Sequence, residues 1–192
     1  MNIYAFFTYM FVTAFTPGPN NIISMSNASR YGLRKSYPYN LGIFCGFSIV
    51  MILCTLFSAT MLRLIPRIKP LMLILGAGYI LWLAWKTWKS SSEISARNGK
   101  DATFLSGFLL QFINPKIYIY GITSMSTYFL PSYSSLPVLT GFAVLLAFVG
   151  FSSTLCWAIF GSVFAQLFKN HAKLINGILA ILLIYCAVSL FL

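Results

Sequence analysis

Acidic side chains are nearly missing from this sequence: 192 residues include two carboxylates, Glu93 and Asp101, and one histidine, His171. Paired carboxylates, a His/Glu metal set or a Ser/His constellation cannot be assembled from so few groups, which argues against an enzyme, a resident metal or a cofactor. Charge of either sign is scarce as well, at 8% of residues against about 25% in an ordinary soluble domain. Water is the wrong solvent for such a chain. Four cysteines (Cys45, Cys54, Cys156, Cys186) show no CxxC pair. Cys45 and Cys54 lie nine positions apart, about 13 Å along one helix, so they cannot pair. Cys156 and Cys186 fall in other apolar runs, and none of the four adjoins a proline break. All four read as small buried hydrophobes, and thiol-redox carriage is disfavoured. The first 15 residues lack a positive n-region and an A-x-A-like cleavage site, so they are expected to stay as a membrane span.

Hydrophobic residues are abundant, at 59%. Apolar runs cover about residues 3–26, 39–62, 70–88, 103–130, 137–165 and 174–192, each long enough to cross about 30 Å of hydrocarbon. A barrel would show alternating segments of about 10 residues, so the expected fold is an all-α integral membrane protein of six transmembrane helices in one domain, 1–192. The net charge of +11 would suggest nucleic acid in a soluble chain. Here the cations sit in the gaps between runs, and the partner is a lipid bilayer. If both termini face out, the gaps at 26–37, 86–102 (Lys86 counted with the third gap) and 166–173 hold nine inward cations, against three in the gap at 63–69. The polar stretch 89–102 reads as a linker joining halves 1–88 and 103–192.

Two runs are interrupted in matching places. Thr16-Pro17-Gly18-Pro19-Asn20 breaks the first, and Asn114-Pro115-Lys116 breaks the fourth. Proline removes a backbone donor and clashes with the preceding turn, so a regular helix cannot continue through either. Each half holds an odd number of spans, so the halves insert in opposite senses, which gives a 3+3 inverted repeat with broken first and fourth helices. A Ser-Met-Ser follows each break, at residues 24–26 and 124–126. The second spans carry spaced small residues, Gly42 and Gly46 in one and Ala143, Ala147 and Gly150 in the other, suited to close helix contact within one chain or across a homodimer.

Non-helical backbone at membrane depth must be covered by protein or line a wet cavity, since each bare polar group there costs several kcal/mol. The expected substrate site is therefore Thr16, Pro17, Gly18, Pro19, Asn20, Asn21, Gln111, Asn114, Pro115 and Lys116, with Tyr79, Tyr118 and Tyr120 as candidate cavity lining. Lys116 sits about twelve residues into its run, where a charge costs at least about 2.5 kcal/mol. It either meets a substrate carboxylate or a proton, or snorkels from a kink. Asn20, Asn114 and Thr16 either meet substrate or satisfy local backbone. No Asp or Glu lies within any run, so a small neutral zwitterion suits the site better than a cationic amino acid. A saturable carrier and a passive channel or scaffold both remain open on residues alone. Trp82, Trp85 and Trp88 read as an aromatic belt, and His171 as a surface residue.

At TPGPNN (16–21), GAGYILWLAWK (76–86), LQFINPKIYIYGITSMSTYFLP (110–131) and LIYCAV (183–188) the chain resembles the lysine exporter and homoserine/threonine exporter superfamily. Within it, the likeness is greatest to members that export cysteine and O-acetylserine. The resemblance implies a multi-pass protein of the bacterial inner membrane that exports amino acids or derivatives, with residues 16–20 and 114–116 as functional positions.

Overall fold

The structure, a computed structural model, describes residues 3–89 and 103–188. They form α1 (Ile3–Phe15), α2 (Pro19–Tyr31), α3 (Leu33–Leu56), α4 (Ser58–Lys89), α5 (Phe104–Ile113), α6 (Pro115–Thr123), a π-helical turn that prolongs α6 (Ser124–Phe129), α7 (Leu136–Val163), α8 (Ala165–Asn170) and α9 (Ala172–Val188). The fold is all-α. Among the described residues two helices, α3 and α7, with 24 and 28 residues, are by themselves long and apolar enough to cross a bilayer. The linker expected at 89–102 lies outside the described residues apart from Lys89, as do residues 189–192 of the last apolar run.

Both interruptions fall where proline geometry dictates. A residue before proline is driven out of the helical region, and Gly18 (φ −159°, ψ 171°) and Asn114 (φ −89°, ψ 101°) are extended. Pro19 and Pro115 then open new helices, at the one helical position where a missing N–H is free of cost.

Two expected loops are corrected. The gap at 26–37 shrinks to Gly32, whose φ of +78° turns α2 into α3; a positive φ of this kind is open to glycine and strained for other residues. The gap at 63–69 is absent, because α4 runs unbroken from Ser58 through Pro66 and Pro70 to Lys89. Cations do not end helices, since the backbone keeps its own bonds whatever the side chain carries. With 32 residues α4 reaches about 48 Å, longer than the hydrocarbon layer, so a helix can carry Arg63, Arg67 and Lys69 beyond it.

Helix pairing crosses between the two ends of the sequence: α3 packs on α5 and on α7, α2 on α7, and α4 on α9. Gly42 abuts the Phe104 carbonyl and Gly46 the Phe108 carbonyl, so α3 and α5 lie side by side in the same direction. A Cβ on Gly42 would stand 2.0 Å from the Phe104 oxygen, so this approach admits only glycine. Small residues permit such backbone contact where lipid offers helices no hydrophobic incentive to associate. The Gly42–Gly46 stripe therefore serves contact within one chain. Phe47 lies against Gly150 and Phe44 against Phe151, so α3 and α7 run antiparallel.

Phe6, Phe47, Met51, Tyr120, Phe129 and Leu146 anchor the largest core cluster, while Phe11, Val12, Ile74, Phe148 and Ile181 point outward, as lipid requires. Trp82, Trp85 and Trp88 are exposed on α4, with Lys86 Nζ 5.0 Å from the Trp82 ring and Lys89 Nζ 4.4 Å from that of Trp85. His171 is exposed between α8 and α9.

Candidate functional site

The two breaks meet. Lys116 Nζ, in the first turn of α6, donates to the Thr16 carbonyl at 3.2 Å. Asn20 Nδ2 donates to Gln111 Oε1 at 2.9 Å, and Gln111 Nε2 donates back to Asn20 Oδ1 at 3.3 Å. As numbering rises from Thr16 to Asn20 it falls from Lys116 to Gln111, so the broken segments cross antiparallel.

Breaking a helix frees carbonyls at its end, and the first break satisfies them from all sides. Asn21 Nδ2 donates to the carbonyls of Ala14 (2.9 Å) and Thr16 (3.1 Å). Ser153 Oγ of α7 donates to Ala14 O (2.9 Å), and Trp157 Nε1 to Phe15 O (3.3 Å). Cys186 Sγ of α9 lies 3.9 Å from Pro17 O. The Thr16 hydroxyl donates to Val12 O. The second break is closed locally: Asn114 Oδ1 accepts from Lys116 N (3.1 Å), capping α6, and Tyr118 OH donates to Phe112 O (3.2 Å).

Between them lies a cavity of about 50 Å³, walled by Thr13, Ala14, Gly18, Pro19, Asn20, Asn21, Phe47, Asn114, Lys116, Ile117, Tyr120 and Gly150. That volume holds a few waters and falls well short of a ligand cleft. Tyr120 OH is buried in this wall without a hydrogen-bond partner among the described residues. The carbonyl end of α1 favours positive charge, and the start of α2, which has no side-chain cap, favours negative charge. Lys116, half-buried at the meeting point, adds a cation beside that start.

Of the residues singled out from sequence, Gly18, Pro19, Asn20, Asn21, Asn114, Lys116 and Tyr120 line the cavity. Gln111 stands behind the wall, fully buried and held by Asn20 and by its own bond to Gly107 O (2.7 Å). Thr16 and Pro17 are exposed and present carbonyls, while Pro115 is buried at the start of α6. Tyr118 is occupied in closing the break. Tyr79 is placed elsewhere: on α4 it packs with Tyr39, Ile43 and Leu110, its ring 5.8 Å from that of Trp82, and it is not among the described residues that wall the cavity. Cys186 corrects the expectation that no cysteine adjoins a proline break. Its neighbour Pro17 is distant in sequence and close in space. Ser153 and Trp157 also escaped the sequence reading. The one signal was the polar Ser152-Ser153-Thr154 inside an apolar run, where each hydroxyl has a ready helical acceptor and invites no further question.

A family model for the LysE type translocator matches residues 11–192. The chain is 43% identical over 187 residues to the cysteine/O-acetylserine efflux protein of Escherichia coli O139:H28 (strain E24377A / ETEC), covering 97% of this chain and 96% of that one. The proteins so named from Escherichia coli K12 and Shigella flexneri are 42% identical with the same coverage. No solved structure matches the chain. With a match over nearly its whole length, this membrane protein belongs to the LysE type translocator family.

Proposed function

We infer that the chain is a secondary transporter that exports a small neutral amino acid or derivative, cysteine, O-acetylserine or a close relative, across the bacterial inner membrane. The observation that carries this reading is the antiparallel meeting of the two breaks, which sets the carbonyl end of α1 beside Lys116 and the start of α2. An amino acid presents an ammonium and a carboxylate on one carbon, and this arrangement offers a partner to each. The absence of Asp and Glu from the apolar runs leaves nothing to pair a cationic side chain, which favours neutral substrates. The relatives' names point to the same class.

The helices group naturally into six spans: α1 with α2, α3, α4, α5 with α6 and its π turn, α7, and α9. An inverted 3+3 repeat is supported by pairing that exchanges between halves, since the first broken span lies on α7, the second on α3, and α3–α7 and α4–α9 pair across. The halves are 1–88 and 103–192 in one domain, and the distribution of cations favours both termini on the periplasmic side. A cavity of about 50 Å³ is a contracted state, so loading requires the breaks to part, as alternating access does.

Proteoliposomes loaded with labelled neutral amino acids test this. Efflux of cysteine or O-acetylserine is expected to saturate, to show counterflow and to exceed that of lysine. Lysine leaving faster than cysteine refutes the substrate class, and linear flux without counterflow turns the reading into a passive channel.

A further inference from the structure

The carbonyl end of α1 is closed more completely than a substrate path demands. Each carbonyl from Ala14 to Pro17 faces a side-chain donor, and those donors come from α2, α6, α7 and α9. Four of the five, Asn21, Ser153, Trp157 and Cys186, are short or rigid and uncharged. The fifth, Lys116, is long, cationic and tethered to the other break. Its stem runs along Gly18, where an added Cβ would stand 3.0 Å from Nζ, so a side chain there would push the ammonium a few tenths of an ångström from its place against Thr16 O.

We propose that the carbonyl end of α1 is a cation site, centred on Thr16 O, whose resident occupant is the Lys116 ammonium, and that the α-ammonium of a substrate takes the Thr16 carbonyl by displacing the lysine. The second half of this statement rests on the export reading; the first does not. The two groups are chemically alike: each offers N–H donors and one positive charge to the negative end of a helix. A displaced Lys116 stays beside the start of α2, where the substrate's carboxylate would lie, so one swing of the side chain serves both ends of a zwitterion. Because the protein brings its own cation, an inorganic one is not needed at this end.

The test uses full-length protein, purified and reconstituted, with ethylammonium as probe. Lys116→Ala is expected to lower efflux at least about tenfold, the factor that goes with losing a hydrogen bond to a charged group. Ethylammonium should then raise the variant's thermal unfolding midpoint and return part of its efflux, whereas choline, a cation without N–H donors, should do neither. Lys116→Met, which keeps the stem, replaces it if the alanine variant does not purify. Gly18→Ala, at a backbone geometry open to alanine, should slow the otherwise native protein and add nothing once Lys116 is gone. The cation site is overturned if Lys116→Ala keeps native efflux, if ethylammonium leaves its midpoint unmoved or acts no better than choline, or if Gly18→Ala costs as much without Lys116 as with it. Ethylammonium stabilisation in a protein that moves no amino acid would keep the site and refute export. Export in a protein that ignores ethylammonium would do the reverse.

Discussion

The two breaks differ in who repairs them. At the second, the repair is local: Asn114 caps the helix it opens, and Tyr118 reaches back to the carbonyl of Phe112, six residues away. At the first, carbonyls from Ala14 to Pro17 face side chains from four other helices, and three of those side chains, Ser153, Trp157 and Cys186, are more than 130 residues distant in sequence. A locally closed break keeps its backbone satisfied from its own residues, whereas one closed by its neighbours depends on them, so the helices around the first break act as its frame.

That contrast can be broken by substitution, and the largest effect is expected at Asn21. Its amide serves two carbonyls, and its oxygen lies 3.3 Å from Ser153 Oγ. Asn21→Leu takes one of its two donors from each carbonyl, leaving Ala14 O to Ser153 and Thr16 O to Lys116, and a loss of about 2 kcal/mol in unfolding free energy, measured in mixed micelles, is expected together with a loss of efflux. A loss below about 1 kcal/mol would mean that the first break needs no frame. At the second break the cost should be smaller. Asn114→Ala removes one cap and should cost about 1 kcal/mol, with Asn114→Ser or Asn114→Asp retaining most of it. The smallest effect is expected for Tyr118→Phe, about 0.5–1.5 kcal/mol or less, with efflux largely preserved. Should Tyr118→Phe cost as much as Asn21→Leu, the two breaks are not different in kind.

What the sequence made legible follows the same division. Both breaks could be read because in each a residue that leaves the helix readily stands before the proline, Gly18 before Pro19 and Asn114 before Pro115, so that the missing donor falls at a new helix start. The donors that complete the first break could not, because Ser153, Trp157 and Cys186 lie in apolar runs where helical spacing alone accounts for them. Their role exists only once α7 and α9 stand beside α1. Two loops were misplaced at Arg30–Lys35 and Arg63–Lys69 because charge marks where a chain meets water, whereas helix ends are set by backbone: Gly32 supplies an end, and Pro66 and Pro70 do not. Tyr79 was misassigned for a related reason, since an aromatic hydroxyl on a span faces whichever neighbour packing gives it, here Tyr39 and Trp82.

The glycine seam between α3 and α5 bears on how the protein is made. A ribosome delivers residues 1–88 before α5 exists, so the furrow over Gly42 and Gly46 must be occupied by acyl chains until Phe104 and Phe108 arrive to evict them. Neither portion of the chain owns a finished interior on its own, and assembly in the bilayer waits for the last helices to be synthesised.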